Sequence, residues 1–517
     1  MDKTKDILKI PKKFIGQVVE FKSDAPNNIF MSSLLIIVLA MEVCGAIISA
    51  YDSDIWFILA SGKDVFTSGV PYINTFEAYE YDMNIIIQQW LYGLFTFLVY
   101  NFLGTSGLYA LTTIFILLFI FVCFSTVKEL RGSKSGMEII LIFALMCFPG
   151  LAIYITMRPH ILTMTIYVLI ILLCEKAKRA NNKLYLLVIP VLVAFHVNIH
   201  MAMAVLDPFI LSYYALISLF DNRRTNKTVT ITLAACLFSF VALLINPYGI
   251  DGALYVVKSY GYASYRGAII EMAPITLANP FEIFLFAFGA IYVIYTLFYV
   301  RKNGIKAVLL NPLHVFALVF WILSMMNLRN EWVFFLFAFL SIVSLVPRNK
   351  GLVFKRPFSK FVDKAALISS VAVSIVLFCC SFAIYCTNVK PEDGIITPTG
   401  AVNYINNEAA SDDSKTIACS FISGGFLEFN NMKVTMDARP EIWQPRISGV
   451  DQDLYYNYID AVFDEDENAY VKYFEDLGCQ YVLITYEASW IPDNVFDASS
   501  LYEHVVDGDG YDLYKKV

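Results

Sequence analysis

The sequence is poor in charged residues. Only 16% of its 517 residues are Asp, Glu, Lys or Arg, whereas 58% are hydrophobic and 15% are aromatic, and the mean hydropathy is +0.61. Soluble domains of ordinary composition contain about 25% charged residues, so little of this chain could face water. The shortage of charge excludes a soluble protein and predicts a polytopic α-helical membrane protein.

Other features are missing as well. Of ten cysteines, only Cys419 and Cys479 lie well outside apolar segments, which excludes a disulfide framework and leaves either one bridge between them or free thiols. The stretch SGG at 423–425 lacks the GxxxxGK[ST] and GxGxxG patterns of phosphate-binding loops, and we interpret it as a turn. No cleavable signal peptide is apparent, because residues 1–28 are polar and Lys-rich and the first apolar run is long enough to remain as an anchor.

What the sequence does have is a series of apolar runs. About eleven have the composition of transmembrane helices, although several are shorter than the roughly 20 residues that a crossing usually needs. They cover residues 29–50, 106–127, 137–156, 160–174, 184–199, 203–220, 228–246, 281–299, 307–326, 331–347 and 365–388.

Basic residues mark one side of the membrane. Six Lys/Arg-rich segments, the N-terminus and the loops near 128, 175, 221, 301 and 347, belong in the cytoplasm by the positive-inside rule. All six share a side only if the chain crosses once between Ala50 and Lys128. The apolar run 90–104 is therefore not counted as a crossing, and residues 51–105 form a long outer loop.

The predicted layout has three parts: a cytoplasmic segment 1–28, a transmembrane domain 29–388 and an extracytoplasmic domain 389–517. In the last part, helical patterns at 399–407, 453–463 and 467–477 alternate with strand-like segments at 416–420, 432–436 and 480–486, which predicts a small α/β domain. Residues 451–517 contain sixteen acidic residues and only three lysines, so nucleic acid is not an expected partner.

Polar residues from distant loops meet on the predicted outer side. Arginine offers planar paired donors to phosphate, and a carboxylate can take a proton or hold a divalent cation, so this set suits a phosphate-bearing lipid and a sugar hydroxyl. The candidates are Asp52, Asp54, Arg158, His160, Asn198, His200, Tyr265, Arg266, Glu271 and Arg329.

The stretch YDSDIWFILASG, residues 51–62, carries the two aspartates. A helix from 53 to 66 would place Ile55, Ile58 and Leu59 on one face, which predicts an interfacial helix with Trp56 as a headgroup-level anchor. Asp52 and Asp54 would then lie at its N-terminus. There they are either helix caps, a role that Asp favours, or functional carboxylates.

A succession of motifs resembles a known family. DxDIWFxLAxG (52–62), GxPYxNxF (69–76), QQWL (88–91), RPH (158–160), NxH (198–200), NPYG (246–249) and DxRPE (437–441) look like a bacterial group within the GT-C superfamily of membrane glycosyltransferases. Oligosaccharyltransferases, protein mannosyltransferases and aminoarabinose transferases are more distantly similar. Each motif alone is weak, but the succession spans nearly the whole chain.

The resemblance implies a reaction. GT-C enzymes take a sugar from a polyprenyl-phosphate or diphosphate donor and pass it, with inversion, to an acceptor at the outer face, using an acid in the first outer loop. On this sequence that acid is Asp54 or Asp52, as a general base or a metal ligand. Where several relatives have a second acid, this chain has Arg158-Pro159-His160, which puts the dependence on a divalent cation, held by Asp54 and His160, in doubt.

Other candidates have structural alternatives. His196 and His200 are four residues apart, the spacing of a metal pair, but neither a Glu at motif spacing nor a Cys supports zinc, so the sequence favours a packed polar helix end, and we treat His200 and Asn198 as substrate contacts. Arg266 and Arg329 are candidates for the donor phosphate, with lipid headgroups as the alternative.

Two classes of function follow from the sequence. The first is a glycosyltransferase that uses a polyprenyl-phosphate-linked sugar and a glycan, glycolipid or protein acceptor in the bacterial plasma membrane. The second is a non-enzymatic transporter or flippase of lipid-linked glycans, or a partner subunit of an envelope glycan assembly complex. A transporter is expected to hold its polar groups near the membrane midplane, whereas those of this chain gather at the outer rim.

Overall fold

The computed structural model is mostly helical. It describes residues 19–23, 37, 40, 44, 52–79, 82–131, 150–151, 154–179, 184–219, 226–259, 269–345, 350–354, 368–373, 375–376, 397–408, 415–463, 466–485 and 495–517.

Four helices are long and apolar enough to cross a membrane. They are Trp90–Arg131, His160–Lys178, Met201–Leu219 and Pro280–Asn303. Large apolar side chains such as Phe121, Ile291 and Leu297 are exposed on their outer faces, where lipid would cover them. These helices indicate a membrane protein. Shorter apolar helices accompany them at Leu184–Ile199, Val229–Ala242 and Pro312–Met326, and Glu331–Leu345 packs in the interior.

The first long helix is broken at Gly104. Its φ of 61° and ψ of −157° are not helical, and they divide Trp90–Arg131 into two helices. A positive φ costs glycine little because it has no Cβ. The break coincides with the predicted end of the outer loop near residue 105. Most residues of the predicted spans 29–50, 137–156 and 365–388 lie outside the described residues.

A two-stranded antiparallel sheet joins distant parts of the chain. Val19–Ser23 pairs with Lys350–Phe354, with Phe21 opposite Leu352. Both strands lie in segments that the positive-inside rule assigns to the cytoplasm, and their pairing requires that both are on the same side.

The C-terminal part contains a mixed five-stranded sheet. Its strand order is Lys433–Val434, Thr416–Cys419, Tyr481–Thr485, Tyr511–Lys516 and Tyr502–Gly508. The first three strands are parallel, and the last two form an antiparallel hairpin. The longer helices of this part are Thr399–Glu408, Gly424–Phe429, Leu454–Phe463 and Glu467–Asp476. Cys419 and Cys479 are both buried free thiols, so no bridge joins them.

The loop predicted to lie on the outer side packs against the C-terminal part. Its helix Asp54–Ser68 lies between residues 90–103 and Gly424–Phe429. A Cβ on Gly425 would lie 2.7 Å from the Phe57 nitrogen, so this glycine allows a close approach of two helices. The predicted turn ends at Ser423, and the two glycines begin the helix Gly424–Phe429. Further along the loop, Phe76 and Ala78 exchange backbone hydrogen bonds with Val434 at the sheet edge.

The helix Asp54–Ser68 is an interior helix. Trp56 is buried, with its ring 4.8 Å from Phe426 and 5.4 Å from Phe429. The predicted role of Trp56 as a headgroup anchor is therefore wrong. Most of the apolar face that suggested contact with lipid is buried inside the protein, namely Ile55, Ile58 and Leu59, whereas Phe66 near the end of the helix is exposed.

Candidate functional site

Asp52 and Asp54 are joined by one arginine. Arg158 lies two residues before the helix His160–Arg179. Its Nε donates a hydrogen bond of 3.0 Å to Oδ2 of Asp52. Its Nη1 lies 2.9 Å from Oδ2 of Asp54. The structure thus brings together the RPH and DxD motifs, 104 residues apart by number, in one ion-paired cluster.

The two aspartates differ in their remaining contacts. Oδ1 of Asp52 accepts a 3.0 Å hydrogen bond from the backbone N–H of Asp54, which satisfies a donor at the helix N-terminus. Ser53 makes no side-chain cap. Asp52 is therefore partly a structural cap, whereas Asp54 lines a cavity and is the better placed of the two for chemistry.

The surroundings change the acidity of Asp54. Burial raises its pKa from 3.8 to about 7, and the negative charges of Asp52 and Glu271 act in the same direction, while Arg158 and Arg329 oppose the rise. A carboxyl group with a pKa near the working pH exchanges a proton readily, which is what a general base requires.

A cavity of about 180 Å³ lies beside this cluster, between helix ends of the apolar domain and the C-terminal part. Acids and arginines are interspersed on its wall, which suits a ligand with both phosphate and hydroxyl groups. The polar residues of the wall are Asp54, Gln88, Gln89, Arg158, His160, His200, Tyr255, Ser259, Glu271, Arg329, Arg439 and Glu441.

Two histidines form one part of the wall. The rings of His160 and His200 are 5.0 Å apart and nearly perpendicular. His160 is 3% exposed, and neither of its ring nitrogens has a hydrogen-bond partner among the described residues. A buried imidazole without a partner is costly, so both nitrogens are available to a ligand in the cavity.

The other predicted contacts divide into three groups. Glu271 and Arg329 line the cavity, as Arg158, His160 and His200 do. The structure does not place Asn198 there: its amide donates to the carbonyl oxygens of Ala194 and Ile245 and accepts a bond from Trp90 Nε1, so it joins helix ends. Tyr265 and Arg266 lie outside the described residues.

The sequence analysis missed several polar wall residues, three of which are joined by hydrogen bonds. Oε1 of Glu441 accepts hydrogen bonds from Tyr255 at 2.6 Å and from Gln88 at 3.2 Å. Gln88 and Glu441 belong to the QQWL and DxRPE motifs, to which no role was assigned. The motifs marked Gln88 and Glu441 as notable residues. Their contact with each other, across 353 residues of sequence, has no local sequence pattern that predicts it.

Arg439 of the DxRPE motif forms a second cluster. Its Nη2 donates to both carboxylate oxygens of Glu428, at 2.9 and 2.8 Å, and its guanidinium also pairs with Asp437. Nη1 donates a 2.9 Å hydrogen bond to Ser61 in the helix Asp54–Ser68. Arg439 therefore fixes the C-terminal part against the helix that begins with Asp54.

The cluster does not have the form of a cation site. The guanidinium of Arg158 already bridges Asp52 and Asp54, and a divalent cation on Asp54 would stand beside that positive charge. His160 does not contact these carboxylates. Within the described ranges, no group of three or more His, Cys, Asp or Glu residues could hold a metal ion.

No protein-family model and no curated protein matches this sequence. Solved structures do. The chain is similar to Archaeoglobus fulgidus oligosaccharyltransferase in the apo form, with 11% identity, a TM-score of 0.52, and coverage of 91% of this chain and 73% of that chain. It is also similar to the same enzyme in complex with Zn and sulfate, with 11% identity, a TM-score of 0.50, and coverage of 87% and 68%.

At this identity the similarity shows the fold alone. The chain therefore has a fold similar to that of the archaeal oligosaccharyltransferase, a kind of protein that the sequence motifs also resemble distantly.

Proposed function

We propose that this protein is an inverting glycosyltransferase that moves a sugar from a polyprenyl-phosphate-linked donor to an acceptor hydroxyl at the outer face of the membrane. One observation supports this most: Asp54, a carboxylate with a raised pKa of about 7, lines a cavity with arginines on its wall. The similarity in fold to an oligosaccharyltransferase is consistent with the same reaction.

The chemistry assigns a role to each group. A sugar or peptide hydroxyl is a weak nucleophile, and Asp54 takes its proton as the new anomeric bond forms. The bond between the anomeric carbon and the donor phosphate breaks, and negative charge builds on the leaving phosphate. Arg158 and Arg329 stabilise that charge. Gln88, Tyr255 and Glu441 supply hydrogen-bond partners for sugar hydroxyls.

We further propose that Arg158 supplies the positive charge for which some members of the superfamily use a divalent cation. It is permanently charged, and pairing with Asp52 and Asp54 fixes its orientation. A glycan, glycolipid or protein acceptor would satisfy the cavity equally well, because all three can present a hydroxyl.

The test is transfer from a radiolabelled polyprenyl-phosphate sugar by the purified protein. Asp54→Asn keeps the size of the side chain and should reduce transfer by about 10² to 10⁴ while the donor still binds. Full transfer by both Asp54→Asn and Asp52→Asn would overturn the proposal and leave the two aspartates as structural caps. Donor movement across the membrane without transfer would favour the flippase alternative.

The proposal also requires an outward-facing site. Asp82 is exposed in the first outer loop, so Asp82→Cys offers a thiol for labelling in intact cells. An impermeant reagent should label it from outside. Labelling from the cytoplasmic side alone would contradict the proposed topology.

A further inference from the structure

A chain of hydrogen bonds connects a buried carboxylate to the cavity. Oδ2 of Asp207, in the first turn of Leu206–Leu219, is 2.7 Å from Nδ1 of His196. Nε2 of His196 is 3.0 Å from Oγ1 of Thr163, which is 2.9 Å from Nδ1 of His200. All four side chains are buried, and of the four only His200 lines the cavity.

The backbone explains why the two histidines do not form a metal pair. The helix Ile189–Ile199 ends at His200, whose φ of −157° and ψ of 81° are extended. The ring of His200 therefore leaves the helix face that carries His196. The hydroxyl of Thr163, from the neighbouring helix His160–Arg179, lies between the two rings and bonds both.

The order of donors and acceptors follows from chemistry. When Asp207 is ionised it only accepts, and then Nδ1 of His196 carries a proton and Nε2 of the neutral ring accepts one from Thr163. The Thr163 oxygen can then accept from Nδ1–H of His200. Nε2 of His200 is left without a proton, and it is the nitrogen that a cavity ligand can reach.

We propose that Asp207, His196, Thr163 and His200 form a proton relay that gives the cavity a second proton acceptor besides Asp54. This inference rests on the proposed glycosyltransferase function, since it needs a substrate hydroxyl in the cavity. A substrate hydroxyl other than the one that Asp54 deprotonates gives its proton to Nε2 of His200. The Nδ1 proton of His200 passes to Thr163, and the hydroxyl proton of Thr163 passes to Nε2 of His196.

The transfer is balanced. Each step breaks one N–H or O–H bond and forms another, and the net result is one proton moved from the substrate hydroxyl to His196. The positive charge then lies on His196 beside the Asp207 carboxylate, away from the arginines of the cavity wall. Asp207 and His196 are positioning residues because neither lines the cavity.

The first test reads the protons directly. The chain has only five histidines, so ¹⁵N-histidine labelling of the full-length protein in lipid nanodiscs gives few NMR signals. We expect His200 to carry its proton on Nδ1 with a bare Nε2. Thr163→Val should allow His200 to carry its proton on either nitrogen. Thr163→Ser keeps the hydroxyl, so His200 should still carry its proton on Nδ1. A proton on Nε2 of His200 in the wild type would overturn the relay.

The second test is kinetic. Thr163→Val and Asp207→Asn should each lower kcat by about 10²-fold with little change in KM, and the double variant should lose no more than either single variant, because both break one relay. Thr163→Ser should retain the wild-type rate. Wild-type kcat in Thr163→Val would contradict the relay. If the variants do not fold, the wild-type spectrum still decides.

A matched control is at hand. His314 is also buried and bonded to hydroxyl groups, those of Tyr292, Thr296 and Ser341, but it does not line the cavity. His314→Gln should leave kcat unchanged, and an equal loss there would assign all these effects to folding. Because the NMR result does not depend on transfer, failure of the relay is distinguishable from failure of the proposed function.

Discussion

Two clusters in this protein place an arginine between two carboxylates, yet their surroundings differ. Glu428 and Asp437 of the Arg439 cluster are fully buried, and the arginine side chain is 7% exposed. In the Arg158 cluster, the side chains of Arg158, Asp52 and Asp54 are 23%, 22% and 17% exposed. Arg439 also borders the cavity, but its two carboxylates are closed off, whereas those of the Arg158 cluster are open to a ligand.

The comparison separates stability from chemistry. Arg439 uses its donors on Glu428, Asp437 and Ser61, so little of its hydrogen-bonding capacity is left for a substrate. Arg158 holds two carboxylates from one helix N-terminus and still faces the cavity. The same pair of residue types can therefore fix two parts of a fold in one place and prepare a reactive site in another.

The largest expected effect is on the closed cluster. Arg439→Leu leaves two buried carboxylates without their counter-charge, which should lower the free energy of unfolding by about 3–5 kcal/mol. Thermal unfolding in detergent measures it. The control is Lys515→Ala, which removes a solvent-exposed pair with Glu408 and should change stability much less than Arg439→Leu does. Equal effects of the two variants would remove the distinction between closed and open ion pairs.

The next effect concerns the open cluster. Arg158→Ala should lower kcat/KM for transfer by about 10²-fold, because a charge-assisted contact to the leaving phosphate is lost, and should also raise KM for the donor. Arg158→Lys retains charge without the planar fork and should recover only part of the activity. Donor titration checks both variants. Wild-type kcat/KM and KM in Arg158→Ala would show that Arg158 serves the fold alone.

Acidity offers a third comparison. Asp54 must lose its proton to act as a base, so transfer should rise with pH and reach half of its maximum near 7. The folded state binds this proton more tightly than the unfolded chain, so the contribution of Asp54 to stability should fall as pH rises from about 4 to 7. Asp54→Asn should abolish both trends. A pH-independent rate between 5 and 8 would contradict the assignment.

The smallest expected effect is that of metal removal. If Arg158 provides the positive charge, treatment with a chelator should leave the transfer rate within about twofold of its starting value. Transfer is measured before and after dialysis against EDTA, and again with added Mg²⁺ or Mn²⁺. A loss that Mg²⁺ or Mn²⁺ restores would show that Arg158 does not replace the cation.

Periodicity predicted much of the fold. Strands at 416–419 and 481–485 and helices at 399–408 and 454–463 lie within one or two residues of their predicted bounds, because short buried strands alternate with amphipathic helices. The hairpin 502–516 was missed. Its exposed acids, such as Glu503 and Asp507, interrupt the apolar alternation by which a strand is recognised.

The site was predicted only in part. Motif resemblance identified Asp54, Arg158 and His160, which do share one cavity. It could not identify Glu441 as their neighbour. It also could not predict that protein, and not lipid, surrounds Trp56, because an apolar helix face has the same sequence pattern in both cases. Both features depend on how the C-terminal part packs against the first outer loop, and that packing has no local signal.

The most direct test compares Asp54→Asn with Glu428→Gln for both transfer and thermal unfolding. We predict that Asp54→Asn transfers sugar about 10²- to 10⁴-fold more slowly than the wild type and unfolds at the wild-type temperature. We predict that Glu428→Gln unfolds at a lower temperature but transfers normally while it is folded. If Glu428→Gln lost transfer while folded, or if Asp54→Asn transferred at the wild-type rate, the division into a structural and a reactive cluster would be wrong.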